Sequence, residues 1–117
     1  MRRPRSPVLR AAFLGARPVA PQHVDVEVLS ALRALVRRDE VKEQRALRAL
    51  DRLATAAIQR IPLGPLLVPA WRLRENLSAY DALYVVLAQQ LRCPLLTADR
   101  RLAGAPGLGI AVTVVDA

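Results

Sequence analysis

The sequence has very few of the residues that build disulfides, zinc sites and histidine-based triads. It contains one cysteine, Cys93, and one histidine, His23, among 117 residues. A single cysteine excludes an intrachain disulfide and a cysteine-rich zinc site, and it suits a reducing cytoplasm. A single histidine disfavours a His-rich metal site, so any bound metal is expected to be a hard cation held by carboxylates.

Aromatic residues and long apolar runs are also scarce. Only 3 % of the residues are aromatic, which disfavours recognition of nucleic acid through stacked bases. Arg or Gln interrupts every apolar run before it reaches the roughly 18 to 20 residues of a membrane span. We therefore expect a soluble, cytoplasmic protein with no membrane partner, whose 53 % hydrophobic residues build one core.

Acidic residues are outnumbered by basic ones. The chain has 18 Lys plus Arg against 10 Asp plus Glu, a formal charge of +8 and a pI of about 11.4. This balance favours a polyanionic partner, either nucleic acid or an acidic protein segment.

The spacing of apolar residues predicts an α/β fold with a short parallel sheet flanked by helices. We expect a basic helix remnant at residues 1–16, followed by one domain at 17–117. Within the domain the pattern predicts a strand at 17–22, a helix from Val24 capped by Asp25, a helix at 41–56, a strand at 58–61, and a helix at 65–77 with Trp71 in the core.

The run AYDALYVVLAQQLRCPLLTADRRL, residues 79–102, carries an aspartate near each end. Ser78 is placed to cap a helix that rises about 15 Å from Asp81 to Leu91. The strand that follows returns about 16 Å to Asp99, so both carboxylates should lie at the carboxyl end of a parallel strand, where α/β sheets place ligands. The alternative is that each aspartate only caps a helix.

A third acid, Glu27, heads a stripe with Ala31 and Ala34 at helical spacing. The small residues allow another element to approach closely, so Glu27 could face a cleft. The alternative is a solvated glutamate in the first turn of a helix, stabilised by the helix dipole.

Three segments in order carry a resemblance to a known family. They are HVDVEVLSALRALVRR, ENLSAYDALYVVLAQQLRCPLLTADRRLAGAPGL and AVTVV. Together they resemble the PIN-domain ribonuclease toxins of the VapC family over roughly residues 17–115. The resemblance implies four acids that hold Mg²⁺ or Mn²⁺, of which Glu27, Asp81 and Asp99 are three, and it places the hydroxyl of Thr97 beside the last acid.

The fourth acid of that family lies on a first strand, approximately V-V-D-A-S, at the centre of the sheet. No such strand precedes the matching segments here. Residues 7–16 resemble the end of the helix that follows this strand in the family. The VVDA at 114–117 is taken as coincidence. We therefore expect the central strand to be missing or replaced, its neighbours to lack partners, and an N-terminally extended form to bind metal and cleave RNA better.

The resemblance implies a Mg-dependent endoribonuclease toxin that cleaves RNA and pairs with a VapB-like antitoxin, with a homodimer expected. Asp81 would be a direct metal ligand, Asp99 a ligand or base, and Glu27 an outer ligand acting through water. Thr97, Arg100 and Arg101 would bind the substrate, and the two arginines would hold its phosphates unless they are only a solvated pair.

Two alternatives stay open. One is a catalytically inactive PIN remnant that binds an antitoxin, which the missing first strand favours. The other is a receiver-type domain, which also gathers acids around Mg²⁺ but places an acid pair after its first strand and a lysine after its last, and neither feature is visible here.

Overall fold

Strands and helices are mixed along the chain in a computed structural model, which describes residues 10–14, 17–97, 100–105 and 107–114. In chain order the elements are β1 (Arg10–Leu14), β2 (Arg17–Pro21), α1 (Val24–Arg37), α2 (Glu43–Thr55), β3 (Gln59–Ile61), α3 (Gly64–Trp71), α4 (Ala79–Leu91), β4 (Leu95–Thr97), α5 (Arg100–Ala103) and β5 (Val112–Val114). The α/β prediction is confirmed.

The five strands form one sheet in the order β3-β2-β1-β4-β5. The outer pairs, β2 with β3 and β4 with β5, are parallel. The central strand β1 is antiparallel to both of its neighbours. Four strands therefore point the same way and only the central one opposes them, so the sheet is mixed rather than purely parallel.

The central strand corrects the prediction for the N-terminal segment. Residues 10–14 were expected to be the end of a helix, because alanine and leucine favour helices, but they form β1. Ala12 is paired with Val19 on one side and with Leu95 on the other. Without β1 the facing backbone groups of β2 and β4 would need other partners, and that requirement overrides local propensity. The expected gap at the centre of the sheet is therefore filled.

Helix α4 is the core element. Seven consecutive residues, Ala82 to Ala88, are buried, and the helix packs against β1, β2, β4 and α3. As predicted, Ser78 caps its start, with its hydroxyl oxygen accepting from the backbone N–H of Asp81 at 3.1 Å. Leu95 of β4 is fully buried beneath it, whereas Leu96 is only half-buried. Among the described residues, none of the helices has the length and apolarity to cross a membrane.

Helix α3 differs from the prediction. It ends at Trp71 rather than near residue 77, after Pro69 has removed one backbone donor from its last turn. The prediction that Trp71 lies in the core is wrong: its side chain is 65 % exposed and packs under the guanidinium of Arg74, 4.5 Å from the ring centroid. Leu66 is the fully buried residue of this helix.

The position of β1 can be tested with a proline. Ala12→Pro removes a backbone donor from the middle of a central strand and should lower the free energy of unfolding by about 2 to 3 kcal/mol. Ala12→Ser, which keeps the N–H, is the matched control. Urea unfolding followed by circular dichroism measures both variants. Equal stability of Ala12→Pro and the wild type would show that β1 does not occupy the centre of the sheet.

Candidate functional site

The carboxyl ends of four strands lie at one edge of the sheet. Strands β2 and β4 are both antiparallel to β1, and β3 and β5 are parallel to them. At this edge the chain passes from β2 into α1 and from β4 toward α5. Helix α4 also begins at this edge, because it runs opposite to β4. This is the place where α/β sheets bind ligands.

Glu27 is held at this edge by contacts from α4 and from its own helix. The hydroxyl of Tyr84 donates a hydrogen bond of 2.9 Å to Oε1 of Glu27. Nε2 of His23 lies 3.4 Å from the same oxygen, one helical turn earlier on the chain. The Glu27 side chain is 20 % exposed, so it is not the fully solvated glutamate of the alternative interpretation.

The ring of His23 belongs to a small aromatic group. It lies 5.1 Å from the Tyr84 ring in an edge-on arrangement and 5.9 Å from the tilted Tyr80 ring. Such contacts fix ring orientation beyond what apolar burial alone achieves. The start of α1 is thereby packed against the first turns of α4.

Asp81 lies in the first turn of α4 and is half-buried. Residues three apart on a helix share a face, so Asp81 and Tyr84 lie on the same side of α4. Because Tyr84 contacts Glu27, the two predicted acids lie on the same side of α4. The predicted helix cap is present as well, because the Ser78 hydroxyl oxygen accepts a hydrogen bond from the backbone N–H of Asp81.

Asp25 does not cap α1 as predicted. It forms two hydrogen bonds with the guanidinium of Arg60 on β3, at 2.7 and 2.9 Å. The same guanidinium donates to the carbonyl oxygen of Leu53 at 2.8 Å. Hydrogen bonding to Asp25 raises the pKa of Arg60. This ion pair fixes the start of α1 to β3 and to the end of α2.

The remaining predicted residues have different surroundings. Thr97 is fully buried at the end of β4, which suits a role inside this end of the sheet rather than direct contact with substrate. Arg100 and Arg101 are exposed on α5. Asp99 lies outside the described residues, so its predicted meeting with Asp81 stays a prediction. In the central strand, the residue in register with Thr97 is Arg10.

The donor chemistry of these acids suits a hard cation, because Mg²⁺ and Mn²⁺ prefer carboxylate and water oxygens. Within the described ranges, however, no three His, Cys, Asp or Glu side chains form a cluster that could hold a metal ion. Among the described residues, Glu27 and Asp81 do not by themselves make a complete metal site.

Comparison with known proteins identifies the family of the chain. Residues 2–108 match the PIN domain family. The chain is 46 % identical over 109 residues to Ribonuclease VapC1 of Mycobacterium tuberculosis, covering 92 % of this chain and 82 % of the relative. It is 43 % identical over 106 residues to VapC ribonuclease Mb0985 of Mycobacterium bovis, covering 91 % of this chain and 84 % of that relative. This chain belongs to the PIN-domain family, in its VapC group.

Family membership confirms the resemblance of the sequence and the PIN-like fold. Ribonuclease VapC12 of M. tuberculosis is a more distant relative, 35 % identical over 96 residues. The matched region begins at residue 2, so the family similarity extends into the segment that was expected to precede the domain.

Sequence reasoning missed three interactions of this site, those of Glu27 with Tyr84 and with His23 and that of Asp25 with Arg60. Tyr84 lies three residues after Asp81, and His23 lies four before Glu27; both spacings place the side chains on one helix face. The pairing of Asp25 with Arg60 had no such signal, because 35 residues separate the two. Only the parallel pairing of β2 and β3 brings them together.

The hydrogen bond between Tyr84 and Glu27 can be measured directly. Tyr84→Phe removes the donor and should cost about 0.5 to 1.5 kcal/mol in the free energy of unfolding. Tyr80→Phe, at an exposed ring, is the matched control and should stay within about 0.5 kcal/mol of the wild type. A double-mutant cycle with Glu27→Ala should give a coupling energy of the same size as the loss. Additive losses would refute the contact.

Proposed function

We propose that this chain is a Mg²⁺- or Mn²⁺-dependent endoribonuclease, the toxin of a toxin–antitoxin pair. The observation that carries the proposal is the contact of Glu27 with Tyr84, on the face of α4 that bears Asp81, at the sheet edge where the strands end. Its relatives named as VapC ribonucleases support RNA as the substrate. The formal charge of +8 also favours a polyanionic substrate such as RNA.

Asp81, Glu27 and Asp99 are the residues proposed to hold the metal. A bound divalent cation would lower the pKa of its water and neutralise charge on the phosphodiester. Asp81 supplies a carboxylate at the start of α4, and Asp99 a second one beyond β4. Glu27 is positioned by Tyr84 to act through a water. Arg100 and Arg101 are proposed to bind substrate phosphates from α5.

A second candidate is a catalytically inactive PIN protein that binds an antitoxin. The observation that favours it is the central strand, which places Arg10 rather than an acid in register with Thr97. In that case the basic surface would bind an acidic or extended segment of the antitoxin. An antitoxin of VapB type is the proposed protein partner in either case.

Loss of one carboxylate distinguishes these functions. Asp81→Asn keeps the size of the side chain and removes its charge, so RNA cleavage with Mg²⁺ should fall roughly 100-fold or more. Asp51→Asn, at an exposed acid of α2, is the matched control and should cleave like the wild type. EDTA should stop cleavage, and Mn²⁺ should restore it.

Two results would contradict this proposal. Cleavage that resists EDTA and ignores Asp81→Asn would exclude the carboxylate–metal mechanism. Absence of cleavage by the wild type on varied RNAs, with an antitoxin still bound, would favour the inactive PIN protein.

We also propose a homodimer, for which α3 offers an apolar surface. Leu67, Val68 and Trp71 are 55 to 65 % exposed, and apolar side chains grouped on one helix often mark a protein interface. The double variant Leu67→Gln with Trp71→Gln should shift sedimentation equilibrium from dimer to monomer. Leu47→Gln, at a 59 % exposed leucine of α2, is the control and should leave the dimer intact. A monomeric wild type would end this proposal.

A further inference from the structure

Helix α2 carries four basic residues on one face, Lys42, Arg45, Arg48 and Arg52, which we call the α2 basic stripe. They begin at the cap of the helix and follow at intervals of three, three and four residues. These intervals place neighbours about 5 to 6 Å apart on one side of a helix. The stripe is about 15 Å long at 1.5 Å per residue.

The side chains of the stripe are exposed to solvent. All four side chains are exposed, and none of them forms an ion pair within the part of the chain that the structure describes. The acid Asp51 lies three residues after Arg48 and borders the stripe, whereas Glu43 lies on the far side of the helix. The positive charge of the stripe is therefore directed to solvent.

A groove of about 710 Å³ runs beside the stripe. Besides the four basic residues it is lined by Glu40, Val41, Gln44 and Ala49. Glu40 is bonded to Arg38 at 3.1 Å, which offsets part of its charge. The groove offers no aromatic or leucine side chain, and such anchors are the residues on which stable protein interfaces depend. Its chemistry suits a charged backbone rather than a folded protein partner.

The Arg52 end of the stripe lies next to the contacts that join α2 to the start of α1, the helix that carries Glu27. The guanidinium of Arg60 bonds both the carbonyl oxygen of Leu53, next to Arg52, and the carboxylate of Asp25, two residues before Glu27. A single guanidinium therefore spans the end of α2 and the start of α1. The stripe leads away from the candidate site along α2.

We infer that the α2 basic stripe binds the sugar–phosphate backbone of RNA beside the cleavage site, so that the strand runs from the acids along α2. This inference rests on the proposed ribonuclease function and adds a surface that positions the substrate. Four cations along about 15 Å match an extended strand of repeating phosphates. Contacts of this kind orient RNA without reading its sequence.

The test removes charge from the stripe and measures RNA binding without catalysis. The triple variant Arg45→Gln, Arg48→Gln and Arg52→Gln is titrated with a mixed-sequence single-stranded RNA of 20 nucleotides in EDTA, at several salt concentrations. Three lost phosphate contacts should reduce the slope of log K against log salt by roughly 2, and affinity at 0.1 M salt by roughly 100-fold. The matched control removes three exposed charges elsewhere, with Arg33→Gln, Arg37→Gln and Arg72→Gln, and should keep the wild-type slope.

Two further measurements make each result decisive. The variant with Arg45, Arg48 and Arg52 changed to Lys should keep the slope, and thermal unfolding of all variants shows whether they fold. If the triple Gln variant is unfolded, the three single Gln variants replace it, each with a slope reduced by roughly 0.7.

Three outcomes would overturn the inference. The first two are a wild type that does not bind this RNA and a stripe variant whose salt slope equals that of the control. The third is a stripe variant that still binds RNA but no longer binds poly-glutamate, which would assign the stripe to an acidic protein segment. A wild type that binds RNA through the stripe and cleaves none would support the surface and contradict the proposed activity.

Discussion

The rest of the structure depends on the need for hydrogen-bonding partners at the centre of the sheet. Strands β2 and β4 each present backbone N–H and C=O groups to the middle, and buried groups of this kind are almost always paired. Strand β1 provides the partners in register on both sides, through Ala12 with Val19 and Leu95. Because β1 joins them, β2 and β4 point the same way, and α4 can bury seven residues in a row against the sheet.

The antiparallel direction of β1 determines which residues lie at the site. An antiparallel central strand brings its amino end to the edge where the other strands bring their carboxyl ends, so Arg10 is the residue beside Thr97. The acids at this edge are contributed instead by the first turns of two helices, Glu27 on α1 and Asp81 on α4. Their arrangement depends on the helix packing, which the Tyr84 hydroxyl and the Asp25–Arg60 pair fix at three points of contact.

The sequence predicted the elements whose patterns are set locally. The Ser78 cap, the buried helix that follows and the strand at Leu95 follow from periodicity and capping chemistry, and the structure has them. The N-terminal strand could not be predicted, because its alanines prefer helix and only the vacant position between β2 and β4 makes it a strand. Trp71 was placed in the core by its size, yet a cation–π contact with Arg74 leaves it on the surface. Pairing with distant segments decided the strand, whereas Trp71 contacts a residue only three positions later.

The positions of the charged residues matter more for binding than the net charge of the chain. Arg60 neutralises Asp25, so this acid, which the same guanidinium joins to the end of α2, offsets little of the charge of the stripe. At physiological salt the field of one exposed charge is screened within about 8 Å. The stripe is about 15 Å long, so a small anion feels one or two of its cations, whereas an anion that extends along the helix feels all four. We therefore expect the stripe to bind a polymeric anion in preference to a small one, because of its length.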